Sequence, residues 1–432
     1  MRRMISCLFL LAIVLLMPAY ARTGVEKTIL SNGLTLLVKP EPESRIAAIE
    51  VFIRVGAARE DDSNSGIGHL LAGTLLSGTE GRSPRKLSQL FSQVGGNFHA
   101  VRQWDYIEIY AVTLPEMCAD AVGLLSEAVR KPSFDSAAVE RAKASLLKQS
   151  RTLQDNAYQA AYYALVARMN GGGPYGGAFL GDPKVVEGVT RAQLEDFYRK
   201  KVTPGSIVIS VVGNVNPTSI SRVVASRFGG MDYAPQREVA ATYIPRADEP
   251  PEVEADLAAS YVMVGFPAPP VTDKDYPAAC IANVLLGGNK SALMFTRLRE
   301  AQGLGYHVGS IYPMLKEAGH IAAFVGLDSS RGPDAGQAVK DQILALASEL
   351  ADGKFTDDDI ERAKRYLTGS HALGRERTRD RARYLGIYEA LGLGYRYDSE
   401  YDALIRAVSR TDLKRVCRDI FSRPAAVVPV GP

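Results

Sequence analysis

At 432 residues the chain is too long for one hydrophobic core and suits two domains of about 200 residues each. Its 51 basic and 48 acidic residues leave a formal charge of +3. So even a balance excludes the electrostatic footprint of a nucleic-acid binder or an anionic-membrane binder.

The chain opens with Met1-Arg2-Arg3, an almost wholly apolar run from Met4 to Met17, and the small-x-small pattern Ala19-Tyr20-Ala21. The run is too short to cross a bilayer, so residues 1–21 read as a cleavable export signal and not as a stable membrane anchor. Cys118, Cys280 and Cys417 have spacings that fit neither a zinc knuckle nor a disulfide framework, and they read as buried, unpaired thiols.

Leu34 to Val38 and Ile46 to Val55 read as strands separated by a Pro-Glu-Pro turn. Gly66 to Leu76 and Lys86 to Val94 read as helices, the second ended by Gly95-Gly96. Tyr106 to Thr113 alternates as a strand, and Ala119 to Arg130 and Val139 to Gln154 have helical apolar spacing. Gly171 to Gly177 reads as a bland flexible loop. Thr190 and Gln193 form a capping box for the next helix, and Ile207 to Val212 is an apolar strand ending at Gly213. Trp104 reads as core. His307, His320 and His371 have no ligand-like spacing and read as ordinary surface or core histidines.

The chain also repeats itself. Phe134-Asp-Ser-Ala-Ala-Val-Glu-Arg-Ala-Lys143 returns as Phe355-Thr-Asp-Asp-Asp-Ile-Glu-Arg-Ala-Lys364, and Val189-Thr-Arg-Ala-Gln-Leu194 returns as Val408-Ser-Arg-Thr-Asp-Leu413. Two echoes at nearly one offset imply a duplicated unit. Proline and charge cluster between the copies. The expected organisation is therefore an N-terminal domain over 22–232, a linker over 233–254 and a C-terminal domain over 255–432. The mixed elements and hairpin-like turns imply an α+β fold, with each domain an antiparallel-rich sheet carrying helices on one face.

The segment Gly66-Ile-Gly-His69-Leu-Leu-Ala72-Gly73-Thr-Leu-Leu-Ser-Gly78-Thr79 resembles the signature of the pitrilysin/insulinase family of zinc peptidases, in which a helix carries His-x-x-Glu-His. In that motif two histidines four apart share a helix face and bind zinc, and the glutamate takes a proton from the bound water. Here Ala72 stands at the general base and Gly73 at the second histidine. The position of the family's third ligand falls at Gln149 or beside it. His69 alone remains, so the resemblance implies no metal and no cofactor in this chain.

Further matches extend the resemblance over most of the sequence. Gly95-Gly96-x-x-His99-Ala100 is similar to the family's Gly-Gly-x-x-Asn-Ala at the substrate-binding edge strand, with His99 departing from the usual Asn. Arg297-Leu-Arg299-Glu300 and Gly303-Leu-Gly-Tyr306 look like the run whose arginine and tyrosine reach toward the zinc site from the C-terminal domain. The resemblance implies two duplicated domains facing each other as a clamshell. It also implies that Arg299 and Tyr306 act on a partner's site. The expected protein is the non-catalytic subunit of a heterodimeric periplasmic zinc endopeptidase. Its partner would be a homologous catalytic subunit with intact His-x-x-Glu-His and its own zinc, and its substrate an unfolded peptide. The alternative is a catalytically inert peptide-binding or structural protein of the same fold.

Overall fold

The structure, a computed structural model, describes residues 24–171, 173–233, 253–254, 259–328, 334–422 and 426–431. The expected export signal lies outside these residues, as does most of the expected linker.

The first sheet contains β1 (Glu26–Ile29), β2 (Thr35–Pro40), β3 (Ala47–Ile53), β4 (Asn97–Arg102), β5 (Ile107–Thr113) and β6 (Ile207–Gly213), in the order β1-β2-β6-β3-β5-β4. The second contains β7 (Val253–Glu254), β8 (Ala259–Ala268), β9 (His307–Ile311), β10 (Gly319–Asp328) and β11 (Ala426–Gly431), in the order β7-β11-β8-β10-β9. With β1 set aside, the two orders are the same. Each sheet has one parallel pair, β2 with β6 and β7 with β11, and is otherwise antiparallel.

Two details depart from the sequence reading. Val253 and Glu254, placed in the linker, are strand residues of the second sheet. The two strands flanking Pro40-Glu41-Pro42 are not neighbours, because β6 inserts between them. Both β3 and β6 are mostly apolar and buried at every residue, the pattern of central strands, and each carries one buried polar residue, Glu50 and Ser210. Their pairing joins residues far apart in the chain, so no local signal announces it.

Helices α1 (Ile67–Leu75), α2 (Pro84–Gln93), α3 (Cys118–Arg130), α4 (Ser136–Thr152), α5 (Ala157–Asn170), α6 (Pro183–Gly188), α7 (Arg191–Lys201) and α8 (Pro217–Phe228) belong to the first half. The second half has α9 (Tyr276–Leu286), α10 (Asp334–Ala351), α11 (Asp357–Leu373), α12 (Thr378–Leu391), α13 (Tyr397–Ala407) and α14 (Arg410–Phe421). The sequence echoes fall at helix starts. Asp135 caps α4 by accepting from the Ala138 amide, and the matching Thr356 caps α11. Thr190 and Gln193 form the expected capping box of α7, and Ser409 and Asp412 form that of α14.

Apart from one helix exchanged by each half, each half's helices lie on one sheet face, as expected, and the opposite face is covered by the helix from the other half. The odd residues Ile49, Val51 and Ile53 of β3 join one core with α3 and α8, while Ala48 and Phe52 join the core containing α12. Symmetrically, Leu165 and Met169 of α5 pack on Met263 of β8. These two exchanged helices are counterparts, with Ala157 of α5 and Thr378 of α12 lying 221 residues apart. Glycine permits both approaches. A Cβ at Gly386 of α12 would strike the Phe52 ring, and one at Gly265 of β8 would strike Met169.

Ion pairs fasten the exchange. Arg379 of α12 reaches Glu50 at 3.2 Å, and Arg379 and Arg383 bind Glu108 at 3.2 and 3.0 Å. Arg381 pairs with Glu41 at 2.7 Å and Lys27 with Glu389 at 2.6 Å. Burial, reinforced by neighbouring Glu108, raises the Glu50 carboxyl well above the usual carboxylate range.

Candidate functional site

The helix that resembles the zinc motif begins at Gly66, whose φ of 90° is a left-handed conformation suited to glycine. The Glu60 carboxylate accepts from the amides of Gly66 and Gly68 at 2.8 and 3.0 Å and so caps α1 from outside it. Glycine at 68 leaves room for this cap, since a Cβ would lie 2.6 Å from Glu60 Oε1 and push the carboxylate aside. The same carboxylate pairs at 2.8 Å with Arg102, a side chain 2 % exposed at the end of β4. Neither Glu60 nor Arg102 was picked out by motif reading. The available signal was an arginine that directly follows Ala100 and Val101 at the end of the strand.

His69 sits on the first turns of α1, and its Nε2 lies 3.0 Å from the carbonyl oxygen of Phe179. A carbonyl only accepts, so Nε2 carries the proton and donates. Arg102 donates to the same oxygen and lies 5.0 Å over the Phe179 ring. Burial first, and then the charge on Arg102, lower the His69 imidazole to about 3. Phe179 is itself held by Trp104 and Tyr163, with ring centroids 4.5 and 4.8 Å away. Trp104 is a core residue, as its sequence context suggested.

His69, Ala72, Gly73 and Gln149 line one cavity of about 450 Å³, with Ala100, Val101 and Arg102 of β4 and Arg141 and Ser145 of α4. The structure therefore gathers the four positions of the erased motif. These residues do not fit a zinc ion, which takes at least three protein ligands. The Nε2 lone pair is committed to the proton shared with Phe179, Ala72 and Gly73 supply no ligand atom, and Gln149 bonds Ser145 at 3.3 Å. The fixed charge of Arg102 beside the ring also repels a cation. Among the described residues no group of three His, Cys, Asp or Glu side chains is placed to hold a metal.

Of the residues matched to the substrate-binding stretch, only Ala100 lines the cavity. Gly95, with φ 71°, closes the end of α2, and Gly96 follows it into β4. His99 is exposed and stacks on Tyr110 at 5.0 Å. The edge they share is the open one, since β4 ends its sheet.

Arg299 and Tyr306 lie together on the other half. Arg299 sits in a π-helical turn over Phe295–Glu300, closed by the Ala301 amide bonding back to the Thr296 carbonyl at 3.0 Å. Such turns recur at functional sites. Tyr306 immediately precedes β9, the edge strand of the second sheet, and is 83 % exposed. The Arg299 guanidinium lies 4.7 Å over its ring. Two residues earlier, Arg297 is tied to Glu349 at 2.7 Å, whereas Arg299 has no carboxylate partner among the described residues. Neither Arg299 nor Tyr306 belongs to the wall of the His69 cavity.

The glycine loop differs from its reading as a bland linker. Tyr175 at its centre is fully buried, donates to Asp105 at 2.7 Å and accepts from the Glu317 amide at 3.0 Å. Cys118, Cys280 and Cys417 are buried free thiols, as expected.

Fold and site together define a duplicated two-domain α+β protein of the clamshell peptidase type. Residues 35–182 match the family described as insulinase, peptidase family M16, and residues 188–367 match the M16 inactive domain. The chain belongs to the insulinase (M16) family, as a member whose own zinc-motif helix lacks the catalytic set. It is 26% identical to an uncharacterized zinc protease of Streptomyces coelicolor over 94% of this chain and 90% of that one. It is 24% identical to an uncharacterized zinc protease of Bacillus subtilis, covering 94% and 98%. A Helicobacter pylori protease shares its fold with a TM-score of 0.84 at 18% identity, covering 94% of this chain and 99% of that one. A Pseudomonas fluorescens peptidase M16 inactive domain does so with a TM-score of 0.83 at 21% identity, covering 94% and 98%.

Proposed function

We propose that this chain is the non-catalytic subunit of a heterodimeric zinc endopeptidase, exported to the periplasm, and that it lends Arg299 and Tyr306 to the zinc site of a homologous partner. The observation that carries this reading is the contrast between the two halves. The first half holds its one remaining histidine in a hydrogen bond to Phe179 beside a buried arginine. The second presents an untethered guanidinium stacked on an exposed phenol at the head of an open edge strand. A guanidinium and a phenol are donors suited to the oxyanion that develops when a peptide carbonyl is attacked. The partner activates the water, while this chain binds the extended peptide and stabilises the developing charge. The open edges of β4 and β9 suit strand addition by an unfolded substrate.

The test is co-purification with a homologous chain carrying intact His-x-x-Glu-His, followed by hydrolysis of an unfolded peptide. Arg299→Ala and Tyr306→Phe are each expected to lower kcat by about 10² to 10³ without dissociating the complex. Full activity with both variants in a proven complex refutes the assignment. Peptide binding with no hydrolysis in any pairing identifies a peptide-binding protein instead. Retention of the chain in the cytoplasmic fraction refutes export.

A further inference from the structure

The cavity beside His69 has lost the chemistry of a metal site but has acquired another. Its wall carries Arg102, Arg141, Gln149, Ser77 and Ser145, and no carboxylate. Glu60, which balances Arg102, lies behind the guanidinium and outside this wall. Arg102 keeps a buried Nε with no hydrogen-bond partner. Arg141, exposed on α4, has no ion-pair partner among the described residues, although its neighbours Glu140 and Lys143 pair with each other at 3.1 Å. A concave site of this size with donors on several sides and no acid selects an anion.

Its position selects the kind of anion. Ala100 and Arg102 lie two apart on β4 and share one face, and both line the cavity. Because β4 is an edge strand, a chain added alongside it turns every second side chain to that same face. A side chain of the added strand therefore enters the cavity between α1 and α4 and meets Arg141 at its mouth.

We infer that the degenerate metal cavity is a specificity pocket for an acidic side chain, aspartate or glutamate, of an extended peptide bound along β4. This rests on the peptide-binding reading above and adds a charge preference to it. Where an active member of the family holds a cation, this chain holds the guanidinium groups of Arg102 and Arg141 and reads a substrate carboxylate.

The test uses the full chain and fluorescein-labelled, unstructured twelve-residue peptides with amidated C-termini, built from Ala, Ser, Thr and Val with one central Glu or Gln. Fluorescence anisotropy at low salt is expected to give about tenfold tighter binding of the Glu peptide, the size expected of one charge-assisted hydrogen bond. The preference should shrink as salt rises. Arg141→Ala, on an exposed helix position, should keep the native thermal unfolding profile and lose the preference. Equal binding of the two peptides, or an undiminished preference in Arg141→Ala, overturns this inference and leaves peptide binding standing. A free-terminus Gln peptide that binds as tightly as the Glu peptide overturns it in favour of a terminal-carboxylate site. If neither peptide binds, the peptide-binding reading fails with it.

Discussion

The imidazole of His69 and the guanidinium of Arg102 share one acceptor, the carbonyl oxygen of Phe179. The residue that looks like a surviving metal ligand is thereby a brace between α1 and the segment carrying Phe179. Restoring the missing motif residues does not by itself restore the site. In an Ala72→Glu, Gly73→His variant the Nε2 proton still faces Phe179 and Arg102 still opposes a cation. A side chain at 73 must also find room, since a Cβ there lies 3.2 Å from the Ala142 methyl. Equilibration with zinc followed by desalting and elemental analysis should show well below one zinc per chain. One tightly held zinc would mean that His69 readily abandons Phe179.

A second histidine makes the exchanged helices sensitive to pH. His320 of β10 is buried, shares a hydrogen bond with the Tyr162 hydroxyl of α5 at 3.2 Å, and is lowered by burial to about 4. Between about 4 and the ordinary value of 6.5 the unfolded chain holds a proton at this site that the folded chain does not. Stability from neutral His320 is thus fully present above pH 6.5 and is lost as pH falls toward 4, by about 1.4 kcal/mol per pH unit for one proton. His320→Gln should flatten the denaturation midpoint across that window relative to the native chain. An unchanged slope in urea titrations at pH 7.5, 6 and 5 would assign the acid sensitivity to other groups.

Asp105 works in the opposite direction. Burial raises its carboxyl to about 6, against the hydrogen bonds from Tyr175 and the Lys316 amide that favour its charged form. Tyr175→Phe removes a donor to Asp105 and the acceptor for the Glu317 amide, at a cost of about 1–3 kcal/mol near neutral pH. Because the folded carboxyl already takes a proton below about 6, the loss should be smaller at pH 5 than at pH 8. Thermal unfolding at the two pH values checks this, and an equal loss at both would show that Asp105 stays charged throughout.

Much of this architecture was legible in the sequence because its signals are local. The echoes at Phe134 and Phe355, and at Val189 and Val408, proved to be helix caps repeated in two sheets of one strand order. His69, Ala72 and Gly73 could be placed on one side of a helix because periodicity fixes which residues share a face, whereas Gln149 of α4 was joined to them only through the resemblance to the zinc-peptidase signature. The insertion of β6 between β2 and β3, the exchange of α5 and α12, and the Glu60–Arg102 pair were not legible. Each joins residues distant in the chain whose patterns fit several partners equally well. Tyr175 was hidden for a different reason, since the glycines around it suggest freedom while its buried hydroxyl imposes a fixed position.

The exchanged helix α12 is held over a buried carboxylate. Glu50 is fully buried in the centre of β3, its cation is Arg379 at 3.2 Å, and Arg379 also lies 3.4 Å over the Tyr110 ring. Arg379→Met keeps an unbranched apolar stem but removes the guanidinium and leaves Glu50 without its ion pair. Stripping one partner from a buried pair costs about 3–5 kcal/mol, and the low end applies because Arg379 is partly exposed and Arg383 remains nearby. The Glu50 carboxyl already lies above its usual range and can escape by taking a proton. A raised folded value means that protonation favours the native state, so the loss should diminish as pH falls and be greatest at alkaline pH. Gly386→Ala is the companion variant. It drives a methyl into Phe52 and should cost about 1–3 kcal/mol by overpacking, with no such pH dependence. Urea denaturation of both variants at pH 6 and pH 8.5 separates the two effects, and a pH-independent loss in Arg379→Met would show that packing on Tyr110, not the charge on Glu50, is what that arginine contributes.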